Sequence, residues 1–190
     1  NTLILGLFTV AILYPIINTV AYSFNDGTDA LRGGIYFWPR KFSLKNYQMV
    51  FGKELLWTAT KISVLRTVIA TVSQLFVTSL LAYILSRKEF LFRKQVSFIY
   101  VLTMYVSGGL IPTFVLFKNM GLTNSFWVYI LPGMVSAFNM IVIRTFMNGL
   151  PDSLVESAQV DGAGHFTIFM KIVLPLCKPV LATVALFIAV

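Results

Sequence analysis

The chain has 190 residues, 57% of them hydrophobic and 12% charged, with a formal charge of +8 at pH 7. Soluble domains average about 45–50% apolar and about 25% charged, so a mean hydropathy of +0.82 excludes an ordinary water-soluble globule as well as disordered and collagen-like chains. A single cysteine, Cys177, rules out an internal disulfide framework, and the basic residues are scattered among apolar runs rather than gathered into a nucleic-acid-binding stripe.

Residues 1–24 form the first predicted span. They carry no charged side chain, and about 20 apolar residues at 1.5 Å each cross a hydrocarbon core of roughly 30 Å. A cleaved signal peptide fits less well, because the stretch lacks a basic leader and exceeds the usual apolar run of about 7–15 residues. Pro15 is expected to kink this helix, which is tolerated where neighbours satisfy the freed backbone groups. From Asn25 to about Thr60 the chain turns polar, with Asp26, Asp29, Arg32, Arg40, Lys41, Lys45, Lys53 and Glu54 interrupted by aromatics. It reads as an aqueous loop containing a short helix at Lys45–Phe51. Within it, Tyr36, Phe37 and Trp38 suit anchoring at the membrane interface, or stacking on a sugar ring.

The second span is predicted at 62–85; its Thr67–Leu85 stretch is uncharged and rich in Thr, Ser and Ala, a composition that favours close packing between helices. Arg87, Lys88, Arg93 and Lys94 follow against one Glu89, and the positive-inside rule places that short loop in the cytoplasm. A third span at 95–117 contains Gly108, Gly109 and Pro112 near its middle. Two readings stay open there, a simple proline kink or a broken helix lining a cavity. A tight outer turn at Lys118–Thr123 leads to a fourth span at 124–143, and a long cytoplasmic segment occupies about 146–178. Residues 179–190 are apolar again, but twelve residues fall short of the roughly 20 needed to cross. The expected fold class is therefore all-α and polytopic, four spans plus a truncated fifth, with a further C-terminal portion expected beyond Val190.

All seven acidic residues and the one histidine, His165, fall in predicted loops. A proton relay needs a titratable group inside the membrane despite an insertion cost of roughly 2.5–3.5 kcal/mol, and the spans offer none; sodium coupling through backbone carbonyls stays open. No metal-ligand cluster, nucleophile constellation or glycine-rich phosphate loop is present in the sequence. We therefore expect no catalytic residue, no metal and no directly bound cofactor, and any transport must draw its energy from a partner.

The segment Leu150 to Phe166 is where such a partner would act. Pro151 suits a first helical turn, and Asp152 and Glu156 lie toward the positive end of a helix running to about Val160. Gly162 and Gly164 break it, and a second short helix at about His165–Val173 places Phe166, Phe169, Met170 and Val173 at spacings of three and four, ending at Leu174-Pro175. Such a hairpin is too apolar for open solvent and too short to span. Periodicity alone leaves open whether it docks into a groove on another protein or lies on the lipid surface.

Glu156-Ser157-Ala158, three residues, Gly162, nine residues, Ile172, one residue, Leu174-Pro175 resembles the EAA motif of permease subunits of bacterial ABC importers. Ser157 in place of the first alanine is the one departure. The flanks, Asp161-Gly162-Ala163, Ile172-Val173-Leu174-Pro175-Leu176, Arg144-Thr145-Phe146 and Gly108-Gly109-Leu110-Ile111-Pro112-Thr113, are similar to those of the carbohydrate branch that includes the maltose permeases.

The resemblance implies a type I ABC importer permease bundle in the bacterial cytoplasmic membrane. It implies a second permease subunit, a dimer of ATP-binding subunits that uses ATP and Mg²⁺, an extracytoplasmic solute-binding protein, the lipid bilayer as surroundings and no nucleic acid. Carried onto this chain, Glu156, Ser157, Ala158, Asp161, Gly162, Phe166, Phe169 and Ile172 would form the ATPase-coupling element. Glu156 would pair with a basic group, Ala158 would permit close approach, Gly162 would supply the turn, and Asp161 would cap the second helix. Phe166, Phe169 and Ile172 would either plug the ATPase cleft or pack back on the permease. Tyr105, Ser107 and Asn139 are candidates for a polar substrate path, although an asparagine in an apolar helix more often makes an interhelical hydrogen bond. Oligosaccharides are the cargo implied. An importer of another small solute, or a membrane scaffold recruiting a cytoplasmic partner, are the alternatives.

Overall fold

A computed structural model describes residues 2–190, and every regular element among them is helical. The chain divides into two compact units, residues 1–62 and 63–190. In the first unit α1 (Thr2–Ser23) is apolar along its whole length, and Pro15 lies within it. Then come the single-turn α2 (Gly27–Ala30), α3 (Lys45–Phe51) and the first turns of α4 (Glu54–Ser86). The connection after α1, expected to be an aqueous loop with a short helix at Lys45–Phe51, contains that helix and is also tied down by one buried side chain. Asn25 accepts the Lys41 backbone N–H at 2.8 Å and donates to Asp29 Oδ2 at 3.1 Å, while Asn46 donates to the Asn25 carbonyl at 2.9 Å. Asn25 and Phe42 also form a single antiparallel bridge. Full burial of the Asn25 side chain is tolerated because its oxygen and its nitrogen both find partners. Phe24 stacks between Phe42 and Tyr47, and Phe37 meets Tyr14 edge-on with centroids 5.6 Å apart, whereas Trp38 is 84% exposed.

The second unit begins within α4. Helix α5 (Arg93–Tyr105) and α6 (Leu110–Asn119) follow, meeting at 119°. This answers the question left open for the third predicted span. The chain is broken rather than kinked, and the break falls at Val106–Gly109, where Gly109 has φ +82°. Pro112 lies in the first turn of α6, where its missing N–H has no helical partner to lose. Helix α6 ends at Met120 with Gly121 at φ +70° and the Leu122 N–H returning to the Phe117 carbonyl at 2.9 Å, a left-handed C-terminal cap.

The fourth predicted span also differs from a single straight helix. Two 3₁₀ turns, Phe126–Tyr129 and Leu131–Gly133, precede α7 (Ala137–Asn148) at 49°, with Ser136 capping α7 by accepting the Asn139 N–H. Helix α8 (Asp152–Val160) leads to a continuous helical stretch made of α9 (His165–Ile168), a π-helical turn at Phe169–Val173 and α10 (Leu174–Leu176). Its end lies three residues beyond the predicted Val173, because Pro175 stands in the first turn of α10. Helix α11 (Lys178–Ala189) leaves it at 84°. Among the described residues two helices, α1 and α4, are long and apolar enough to cross a membrane, and the number rises to as many as five if each bent pair is one span.

One hydrophobic core holds the second unit together. Ala82, Tyr83 and Leu85 of α4, Met140, Ile143 and Met147 of α7, Val155 and Ala158 of α8, Ile168, Phe169 and Val173, and Val180 and Val184 of α11 are all buried in it, with Cys177 at the bend. Helix α7 packs on both α5 and α11, and Arg144 of α7 donates to Ser97 Oγ of α5 at 2.7 Å.

Candidate functional site

The hairpin α8 to α10 has two chemically different faces. Pro151 stands just outside α8, at the capping position rather than in the first turn as predicted; its ψ of 127° is extended. Asp152 opens the helix. At the far end the Gly162 N–H donates to the Gln159 carbonyl and the Ala163 N–H to the Ala158 carbonyl, each at 2.9 Å, with Gly162 at φ +78°. This double return is a Schellman motif. Any side chain at Gly162 would be strained there, since a left-handed conformation costs non-glycine residues roughly 1–2 kcal/mol.

Facing inward, Val155 and Ala158 are buried against the core shared with α4 and α7. Phe169 is 0% exposed; its ring lies 5.3 Å from that of Tyr83 and 6.3 Å from that of Phe76. Ile172 is half-buried against the same core. Of the residues expected to meet an ATPase, Ala158 and Phe169 thus pack back on their own chain. The reason lies in the period: Phe169 follows Phe166 by three residues, but the tertiary core captures the first and leaves the second 61% exposed. Facing outward are Glu156, Ser157, Asp161, Gly162 and Phe166, together with two residues that sequence reading did not single out, Leu154 and Val160, the latter 88% exposed. Asp161 does not cap the second helix. It closes α8 through its own N–H to the Ser157 carbonyl at 3.0 Å, and Gly164 occupies the capping position of α9 with no side-chain hydrogen bond.

Sequence reading also missed a clasp. Lys88 Nζ donates to Asp152 Oδ2 at 2.7 Å, and Glu89 lies 3.9 Å from His165 Nε2, so the loop after α4 touches both arms of the hairpin. The hydrogen bond and charge of Lys88 hold the Asp152 carboxyl below the usual carboxylate range. Ser86, Arg87, Lys88 and Glu89 line a cleft with Asp152, Glu156 and Gln159. The signal available in the sequence was only that a basic loop and an acidic helix start were both predicted to be cytoplasmic.

The three candidates for a substrate path do not form one buried polar site. Tyr105 ends α5 and is fully open, Ser107 accepts the Gly109 N–H at 3.3 Å inside the break, and Asn139 is buried in the first turn of α7. Among the described residues, the Asn139 carboxamide makes no hydrogen bond to another helix.

Residues 74–190, which contain this hairpin, match the family described as binding-protein-dependent transport system inner membrane component. The chain belongs to that family. The chain is 40% identical over 97% of its length to the polygalacturonan/rhamnogalacturonan transport system permease protein YtcP of Bacillus subtilis. It is 36% identical over its whole length to protein LplC of the same species, and it covers 64% of the length of each of these relatives. The arabinooligosaccharides transport system permease protein AraQ of Halalkalibacterium halodurans is 30% identical over 92% of the chain. Among solved structures, a crystal structure of a bacterial ABC transporter involved in the import of the acidic polysaccharide alginate superimposes with a TM-score of 0.93 at 32% identity. That match covers 100% of this chain and 68% of the other. The fold is thus that of an ABC transporter permease, an all-α membrane protein.

Proposed function

We propose that the chain is the membrane-spanning part of an ATP-driven importer of oligosaccharides in the bacterial cytoplasmic membrane. It forms part of the translocation path and couples to a separate ATP-binding subunit through the hairpin α8 to α10. Two of the relatives named above, YtcP and AraQ, are polysaccharide or oligosaccharide transport permeases by description, and the motif of residues 156–175 resembles the coupling loop of such proteins. One observation carries the reading. The hairpin anchors one face in the core with α4 and α7 and presents Leu154, Val160 and Phe166 outward, uncovered, around a rigid glycine turn.

This arrangement suits a coupling lever. Exposed apolar side chains rimmed by Glu156 and Asp161 fit a cleft on a partner, and a push there reaches α4 and α7 through Val155, Ala158 and Phe169, because close-packed interiors transmit displacement. ATP and Mg²⁺ would be held by the partner dimer. A second permease and an extracytoplasmic binding protein would complete the assembly, and the permease itself carries out no bond chemistry.

Reconstituting the full-length permease with its second permease, ATPase and loaded binding protein tests this. Gly162→Asp and Glu156→Lys should abolish cargo-stimulated ATP hydrolysis while the complex still inserts. Stimulated hydrolysis that survives both substitutions unchanged would remove the hairpin from the coupling route.

A further inference from the structure

The coupling scheme above leaves one arginine without a task. Arg144 stands about one turn before the end of α7, and its guanidinium donates to Ser97 Oγ of α5 at 2.7 Å. Ser97 passes its own proton to the Arg93 carbonyl, so the guanidinium is tied to the first turns of α5. The Nε–H of Arg144 is buried and has no hydrogen-bond partner. Among the described residues no carboxylate lies within ion-pair distance of Arg144, Arg93 or Lys94. A buried donor left open is costly, and a charge on a helix in the membrane is normally matched by a partner.

The surroundings add positive charge instead of cancelling it. Helix α5 opens on Arg93 and Lys94, has no acidic residue in its first turn, and Phe92 at its cap supplies no side-chain hydrogen bond. The free N–H groups of a helix start are themselves partly positive, so cations there are unfavourable until an anion joins them. Arg93 precedes Ser97 by four residues and shares its face of the helix. Lys94 starts a neighbouring stripe on which Phe98 and Leu102 follow at spacings of four, and these two are 67% and 47% exposed. A cation cluster at the head of an exposed apolar stripe is complementary to a phospholipid, with phosphate at one end and acyl chain along the other. The basic loop before α5 puts this end of the helix at the cytoplasmic surface, where anionic headgroups meet basic pockets between helices.

We infer that Arg144, Arg93 and Lys94 bind the phosphate of an anionic phospholipid of the cytoplasmic leaflet, with an acyl chain lying along Phe98 and Leu102. Guanidinium forks match phosphate oxygens, and Ser97 orients the one on Arg144. Helix α7 packs on α5 and leads directly into α8, so the lipid clamps the base from which the hairpin projects. The inference does not depend on which cargo is carried. Free phosphate and a carboxylate of a neighbouring subunit are the competing anions, and each gives a different result below.

The experiment places the full-length permease, in its complete transporter, in nanodiscs of equal parts phosphatidylglycerol and phosphatidylcholine with identical acyl chains. After mild extraction, native mass spectrometry counts the lipids retained. Wild type should keep phosphatidylglycerol in preference to phosphatidylcholine, and Arg144→Gln should cut that preference about tenfold, the scale of one charge-assisted hydrogen bond. Arg144→Lys keeps the charge without the fork and should fall between. The double variant Arg93→Gln with Lys94→Gln leaves the contact of Arg144 with Ser97 in place. It should show the same selective loss while its melting temperature in pure phosphatidylcholine stays at the wild-type value. Equal retention of the two lipids by wild type, or a preference that survives both Arg144→Gln and the double variant, overturns the site. A melting temperature raised by inorganic phosphate in wild type but not in Arg144→Gln, without any lipid preference, overturns the lipid in favour of free phosphate. Loss of the second permease or the ATPase from the purified double variant overturns it in favour of a subunit contact.

Discussion

Replacing Phe169 and replacing Phe166 should have opposite consequences, although the two stand three residues apart on one helical arm. Phe169 is wholly buried between Tyr83 and Phe76, and removing such a ring costs about 3–5 kcal/mol through lost transfer energy and the cavity left behind. At about 1.4 kcal/mol per tenfold, that weakens the packing of the hairpin on α4 by roughly a hundredfold or more. Phe166 is largely exposed, and truncating an exposed side chain changes stability by only about 0.5 kcal/mol. Hydrogen exchange of the α8 to α10 amides in the purified permease reads the first quantity, and affinity for the ATPase subunit reads the second. Phe169→Ala should speed exchange across the hairpin, and Phe166→Ala should leave exchange alone while weakening ATPase binding. Faster exchange in Phe166→Ala together with unchanged exchange in Phe169→Ala would falsify the division of the hairpin into an anchored and a docking face.

Three further outcomes follow from the same geometry. Lys88→Glu should lower cargo-stimulated ATPase activity, and adding Asp152→Lys should restore part of it, because the reversed pair can re-form the clasp; a double variant no better than the worse single would discard the clasp. Asp152 titrates below its usual range in the folded protein, so its contribution is present at neutral pH and is lost only as pH falls through that lowered value. The activity difference between wild type and Asp152→Asn should therefore stay constant between about pH 6 and 8, as a stimulated-ATPase profile would show. Asn25→Ala should open the connection between α1 and α3 to proteases, since the Lys41 N–H and the Asp26 carbonyl both lose their side-chain partner; unchanged nicking rates would show that the aromatic stack of Phe24, Phe42 and Tyr47 suffices.

Much of the architecture was readable because lipid imposes simple rules. Long uncharged runs mark α1 and α4, and Gly162 marks the hairpin turn by its freedom at positive φ. What remained hidden depended on contacts between distant segments. Period alone assigned Phe166 and Phe169 to one apolar stripe, and only the position of Tyr83 and Phe76 decides which ring is captured. Gly108, Gly109 and Pro112 together marked the interruption of the third predicted span; the backbone turns at Val106–Gly109, which holds both glycines, and the proline falls in the first turn of the next helix. Asn25 is one polar residue among many in its segment, and nothing local announces that it organises the loop.

The bend at Cys177 has a mechanical consequence. The second arm of the hairpin passes into α11 without an intervening loop and turns through 84°, with the bend residue itself buried. The pair is therefore an angled crank. A twist of the second hairpin arm about its own axis becomes a swing of α11, and over the 12 residues of that helix a 10° twist moves the far tip by roughly 3 Å at 1.5 Å per residue. A small rotation imposed on the hairpin would thereby become side-to-side travel of a helix end about 18 Å away.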